Sequence, residues 1–142
     1  MDLYEILNAL NIKYREVKHE AAYTVSDMDK ININLDGIGC KNLFLKNKDN
    51  KFYLVVLPDK KRANIKEIAS PDPLEEILNL KPGSVTPLGI MNDKENKVTV
   101  ILDKELQNNH VLIHPLINTK TVSIYYDDLI KFIEIKYADI IF

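Results

Sequence analysis

The stretch that decides the fold is Lys41-Asn42-Leu43-Phe44-Leu45, the polar turn Lys46-Asn47-Lys48-Asp49-Asn50-Lys51, and then Phe52-Tyr53-Leu54-Val55-Val56-Leu57. Two apolar runs of strand length, flanking a run of turn-forming residues, read as a β-hairpin. The second run is apolar at successive positions, so both of its faces are covered and it belongs inside a sheet. Alternate residues of a strand share a face, which puts Lys41 with Leu43 and Leu45 and turns Cys40 the other way. A lysine heading an apolar face must reach solvent along its stem, find a partner, or sit in a pocket. On the residues alone, a solvent-reaching strand end and a pocket group are both open readings.

Working outward, Leu3, Ile6, Leu7 and Leu10 stand at helical spacing, predicting an amphipathic opening helix. Tyr14–Val17 reads as a short strand, and the Thr24/Asp27 spacing suggests the start of a second helix. After the hairpin, Ala63–Ala69 and Leu74–Leu80 read as short helices, the second introduced by Pro71 and Pro73. Lys81-Pro82-Gly83-Ser84 has the Pro-Gly order of a type II turn. Val98–Leu102, Val111–His114 and Thr121–Ile124 are further strands. A last helix carries Leu129, Phe132 and Ile133 on one stripe, with Asp127 and Asp128 in its first turn, where the helix dipole favours them. No repeat or linker interrupts the pattern. The expectation is an α/β fold spanning 1–142 as a single domain, with a mixed, largely antiparallel sheet and surrounding helices.

Composition narrows the function classes. The 142 residues are 46% hydrophobic and 28% charged, with a formal net charge of −2, the profile of a water-soluble globular chain. No apolar run is long enough for a membrane span, and the first residues lack a basic start and a cleavage site, so a cytoplasmic location and no membrane partner are expected. The single cysteine, Cys40, cannot form an internal disulfide, and no Cys/His cluster has metal-ligand spacing; no metal and no cofactor are expected. Any nucleic-acid contact must come from a local patch or pocket.

The chain contains no Gly-x-Ser-x-Gly elbow, phosphate-binding glycine loop or His-Glu-x-x-His helix. Besides Lys41, two features carry potential chemistry. Gly83-Ser84-Val85-Thr86-Pro87, between Pro82 and Gly89, is a rigid loop whose backbone groups would need no reorganisation to hold an ammonium or a carbonyl; it also reads as a plain turn between helix and strand. His114-Pro115, followed by Asn118-Thr119, pairs an extended histidine with an amide that both donates and accepts, and equally reads as a strand end. His19 and His110 lie in polar stretches and carry no comparable signal. Lys60-Lys61-Arg62 reads as a solvated face.

Taken in order, these features resemble the YbaK/ProX family of aminoacyl-tRNA deacylases, in particular its prolyl-tRNA editing branch. The similar blocks are His19-Glu20-Ala21-Ala22-Tyr23-Thr24-Val25, Lys41–Leu45, Tyr53–Leu57, Lys81–Gly89, Asn92-Asp93, His114–Thr119 and Asp128–Phe132. The resemblance implies a pocket for the aminoacylated end of a tRNA. Lys41 matches the family's essential lysine and Asn42 its neighbouring amide. Gly83 through Pro87 match the Gly-x-x-x-Pro loop that holds the aminoacyl group, His114 the pocket histidine, and Tyr23 an aromatic of the pocket wall. Lys41, Gly83 and His114 are therefore the expected catalytic set. Tyr23, Asn42, Ser84, Val85, Thr86, Pro87, Ile113 and Asn118 are the expected substrate-binding set, with Ile113 helping to set pocket size.

The implied reaction is trans-editing hydrolysis of Ala-tRNA(Pro), with mischarged tRNA as partner through its acceptor end, prolyl-tRNA synthetase as a second partner, and no DNA. Two alternatives stay open: a non-catalytic module that binds amino acid or aminoacyl-tRNA, and a deacylase for Cys-tRNA(Pro) or another small amino acid. The sequence departs from the family pattern in a shorter segment around Ala69-Ser70, and at Tyr125, where Ser or Thr usually caps the last helix.

Overall fold

The computed structural model describes residues 2–21, 34–61, 76–80 and 84–141, with side chains described as far as residue 134. Helix α1 (Leu3–Ala9) starts where the sequence pattern places it. Asp2 caps it, its carboxylate accepting from the Glu5 N–H at 2.9 Å, and Leu3 and Leu7 are buried. Strands β1 (Tyr14–Lys18), β2 (Ile38–Lys46), β3 (Phe52–Pro58), β4 (Val98–Leu102), β5 (His110–Ile113) and β6 (Lys120–Tyr125) follow, and helix α2 (Tyr126–Ile141) closes the chain. The expected helices from Thr24 and over Ala63–Ala69, the turn at Lys81-Pro82-Gly83 and the shortened segment at Ala69-Ser70 lie outside the described residues. Of the Leu74–Leu80 helix, Glu76–Leu78 is helical.

The β2–β3 hairpin forms as read, with Lys41 opposite Leu57 and Leu45 opposite Tyr53. Asn47 closes its turn, its side-chain oxygen accepting from the Asp49 and Lys51 amides at 3.0 and 2.9 Å, an Asx-turn that mimics a backbone bond. Asn50 sits at φ 59°, a left-handed conformation that asparagine tolerates.

The six strands make one mixed sheet in the order β1-β6-β5-β2-β3-β4. Three neighbouring pairs are antiparallel, while β2–β5 and β3–β4 are parallel. Helix α2 leaves β6 directly at Tyr126. Tyr125 supplies no capping side chain of the usual kind, and the Asn109 carbonyl accepts from the Tyr126 N–H at 2.9 Å, which meets one of the donors a helix start leaves open. The stripe expected on α2 is the buried one: Leu129, Phe132 and Ile133 all enter the core.

Two core clusters lie on one face of the sheet, while Leu57, opposite Lys41, is buried on the other. The larger joins Leu3, Leu7 and Ile12 to Val111, Ile113, Val122, Ile124 and the α2 stripe. The smaller lies under the hairpin, with Phe44, Leu54, Leu78, Leu80 and Val98. Cys40 packs on the first cluster and Phe44 belongs to the second, so Asn42 stands on the same face of β2 at the seam between them.

Candidate functional site

Strand register sorts the polar groups by face. Ile38 pairs with Val111 and Gly39 with Leu112; Leu112 pairs in turn with Ser123 and Ile113 with Val122. Because Ile38, Val111, Ile113 and Val122 are core residues or pack on the core, their alternates Gly39, Lys41, Leu112, Thr121 and Ser123 take the opposite face. The β2–β5 ladder ends at Gly39 and Leu112. Carried on, its offset sets Lys41 and His114 on adjacent chains and on that same face, where the two parallel strands part. In open sheets, the carboxyl ends of diverging parallel strands form the crevice in which ligands bind.

His114 lies one residue past the end of β5 rather than within it. Its Nδ1 is 2.9 Å from the Lys120 carbonyl oxygen. A carbonyl can only accept, so Nδ1 carries the proton and Nε2 presents a lone pair, which has no hydrogen-bond partner among the described residues. Burial holds the imidazole below the ordinary histidine range of 6.5; the neighbouring His19 adds to this, and the Lys120 carbonyl opposes it. Near neutral pH, His114 is an uncharged acceptor.

His19, which sequence reasoning passed over, is a neighbour of His114. Its ring centroid is 6.0 Å from that of His114. Its Nδ1 lies 2.6 Å from the Glu20 carbonyl oxygen and its Nε2 2.7 Å from Thr121 Oγ1, while its N–H donates to the Thr119 carbonyl at 2.9 Å. Thr121 and Ser123 are only 2% and 4% exposed. Thr121 holds His19, and Ser123 Oγ donates to the Asp36 carbonyl at 2.7 Å, so two β6 hydroxyls anchor the chain on both sides of the interval between residues 20 and 36. Only the placement of His19 at the head of its sequence block could have flagged it.

Lys41 is half-buried, and no acidic group lies within ion-pair distance of it among the described residues. The Asp59 carboxylate rises over Gly39 on the Lys41 face. A methyl at Gly39 would meet Asp59 Oδ2 at 2.7 Å, so a side chain there would push the carboxylate aside. On the reverse face, the Cys40 thiol is pushed up to about 12, chiefly by burial, and donates to the Ile38 carbonyl at 3.3 Å. It is a packing group, not a nucleophile.

The remaining expected site residues fall on the core side or in turns. Asn42 Oδ1 is buried without a hydrogen-bond partner, a state that costs free energy unless a ligand donor meets it. Val85 packs on the hairpin cluster, and Ser84 beside it is half-buried. Thr86 caps the 3-10 turn Pro87–Asn92, its Oγ1 accepting from the Leu88 N–H at 3.4 Å, so this hydroxyl is engaged within the loop. Pro87 is buried at the turn's first position. Asp93 braces the far end by accepting from the Lys97 and Val98 amides. Ile113 is a core residue at 2% exposure; its side chain turns away from Lys41 and His114. Asn118 is half-buried in the turn after Leu116. Leu116 has φ 69°, a strained conformation for a branched side chain, and packs on both core clusters. Tyr23 and Gly83 lie outside the described residues.

The structure therefore brings His114, His19 and Thr121 together, and strand alternation puts Lys41 on the same face of the sheet. Asn42 and the Ser84–Pro87 loop belong with the core face and its seam. A surface cavity of about 380 Å³ lies toward the other end of the hairpin, lined by Phe52, Glu76, Ile77, Asn92 and Lys97 among others. Among the described residues no group of three His, Cys, Asp or Glu side chains could hold a metal, and no helix is long and apolar enough to cross a membrane.

Comparison with known proteins gives these groups a context. The aminoacyl-tRNA editing domain family matches residues 19–132, which take in both histidines, Lys41 and the Ser84–Pro87 loop. The prolyl-tRNA editing protein ProX of Acetoanaerobium sticklandii is 37% identical, over 90% of this chain and 86% of its own. The prolyl-tRNA synthetase associated domain-containing protein 1 of Danio rerio is 33% identical, over 94% and 80%. A crystal structure described as a candidate trans-editing enzyme for prolyl tRNA synthetase superposes with a TM-score of 0.68 at 16% identity, covering 93% of this chain and 89% of that one. At that identity the superposition speaks for the fold alone.

Proposed function

Since the chain belongs to the aminoacyl-tRNA editing domain family, we propose that it hydrolyses the ester between tRNA and a wrongly attached amino acid, with Ala-tRNA(Pro) as its substrate. One observation carries the reading: the β2–β5 ladder ends at Gly39 and Leu112, and its offset carried on would set Lys41 and His114 on adjacent chains of one face. The relatives are named for prolyl-tRNA editing and for association with prolyl-tRNA synthetase, which supports tRNA(Pro) as the carrier, its acceptor end as the part bound, and that synthetase as a partner.

The chemistry asks little of the protein. An aminoacyl ester is already activated, so positioning and stabilisation of the developing oxyanion supply most of the acceleration. In this proposal His114 Nε2 accepts the proton of a water molecule, directly or through the vicinal ribose hydroxyl, as that water attacks the ester carbonyl. The carbonyl carbon to ribose oxygen bond then breaks, and the ribose oxygen leaves as a hydroxyl, taking up a proton. The products are free amino acid and tRNA, and water is the only co-reactant. Lys41 orients the substrate and stabilises the negative charge. Backbone groups of Gly83–Pro87 clamp the aminoacyl moiety, with Ser84, Val85, Thr86 and Pro87 shaping the loop.

Alanine follows from size: a pocket admitting a methyl side chain but not the proline ring clears the error and spares the correct product. Ile113, packed in the core, would influence that size through the chain that carries His114, and Tyr23 and Asn118 would complete the pocket. Incubation with Ala-, Cys- and Pro-tRNA(Pro), followed by ester loss, tests the reading. Selective loss of alanine is expected. Preference for cysteine would move the substrate, and no hydrolysis of any would return the chain to the class of binding modules.

A further inference from the structure

The two imidazoles at the site are linked by more than proximity. His19 is tied at three points: ring nitrogens 2.6 Å from the Glu20 carbonyl and 2.7 Å from the Thr121 hydroxyl, and a backbone bond to Thr119. The carbonyl fixes the proton on His19 Nδ1, so Nε2 accepts from Thr121 Oγ1. Thr121 is opposite the position His114 would take if the β5–β6 register were continued. His19 thus presents a fixed ring against His114, at a centroid separation of 6.0 Å and a tilt of 51°. His114 has the same tautomer, set by the Lys120 carbonyl. A proton added to either ring must be accommodated beside the other.

Resting on the deacylase reading above, we propose that His19 is a positioning residue for His114: locked by Thr121 and Glu20, it packs against the His114 ring and holds it in the orientation that presents Nε2 to substrate. The lowered proton affinity of His114, to which His19 contributes, agrees with this geometry. The charged groups on the flanking strands are Arg15 and Lys18 on β1, Glu20 after it, Lys41 on β2, and Lys120 on β6, whose ammonium lies 5.8 Å from the Tyr4 ring centroid. Among the described residues none of them forms an ion pair with either imidazole.

The test is a histidine titration of the full-length protein by long-range ¹⁵N–¹H NMR, without substrate, alongside the pH profile of kcat/KM on Ala-tRNA(Pro). In the wild type both rings are expected in the Nδ1–H tautomer at neutral pH. In His19→Gln, whose amide can still donate and accept, the apparent pKa of His114 should rise, because a neighbouring imidazole that opposes its protonation is gone, and the acid limb of kcat/KM should rise with it. Thr121→Ser should retain the wild-type tautomer and profile, while Thr121→Val should release the His19 ring. An Nε2–H tautomer on either wild-type ring, or an unmoved His114 titration in His19→Gln, overturns the proposal. The NMR arm requires no activity. Failure of the wild type to hydrolyse any aminoacyl-tRNA would remove the deacylase reading on which the proposal rests, and is distinguishable from failure of the histidine coupling.

Discussion

Asp93 offers a prediction whose size can be worked from the structure. It is 1% exposed, and its two carboxylate oxygens accept from the Lys97 and Val98 amides, each at 2.9 Å. Its own N–H donates to Ile90 at 3.0 Å. The carboxylate thus ties the end of the Pro87–Asn92 turn to the start of β4, and Val98 is itself fully buried. Asp93→Asn keeps the shape but replaces one acceptor with an NH2 group facing a backbone N–H. One charge-assisted bond becomes an ordinary one, a loss of about 1 kcal/mol, and one buried amide loses its acceptor, at about 1–3 kcal/mol. The sum is about 2–4 kcal/mol. For 142 residues an unfolding entropy of about 2.1 cal/mol/K per residue converts the middle of that range into a fall in Tm of about 10 °C. Thermal unfolding followed by far-ultraviolet circular dichroism measures it. A fall below about 2 °C would refute the reasoning, because the two bonds would then not be holding the turn.

Two other outcomes follow from the packing and the charge. A methyl group at Gly89 would sit 2.6 Å from Leu80 Cδ1 and 3.3 Å from its Cγ, so Gly89→Ala should cost about 1–3 kcal/mol through overpacking; an unchanged urea midpoint would contradict it. His114 has a proton affinity below the ordinary 6.5, mainly through burial, so the fold favours its neutral form. Above pH 6.5 nothing is lost. As pH falls below 6.5 the unfolded chain binds the proton first, and stability declines until the folded-state value is passed. The acid limb of kcat/KM should accordingly have its midpoint below 6.5, and a midpoint at or above 6.5 would show that His114 is not the group titrating.

What could be read from the sequence was what is local. The hairpin, the opening helix, β4 and the α2 stripe each depend on a repeat of two or 3.6 residues, and their core residues fell where the repeat put them. Pairing between distant segments was not legible. Nothing in Ile38–Cys40 announces a parallel partner in β5, yet the offset of that ladder is what, carried on, would set Lys41 beside His114. The same limit hid His19: its hydroxyl partner Thr121 is 102 residues away, and a histidine in a polar stretch shows no periodicity of its own. Lys41 was legible as an oddity, a charge on an apolar face, and the register supplies the neighbour that makes it a candidate for chemistry. Ile113 illustrates the converse, since adjacency to His114 in sequence means opposite faces in an extended chain.

The central claim is that a Lys41-dependent site removes alanine from tRNA(Pro). Hydrolysis of Ala-tRNA(Pro), measured under single-turnover conditions for the wild type and Lys41→Ala side by side, tests it most directly. Loss of transition-state stabilisation from one such group is worth about 100-fold or more in rate. The account predicts rapid ester loss with the wild type, and at least that deficit in the variant with its thermal transition preserved. Near-full deacylation by Lys41→Ala would contradict it.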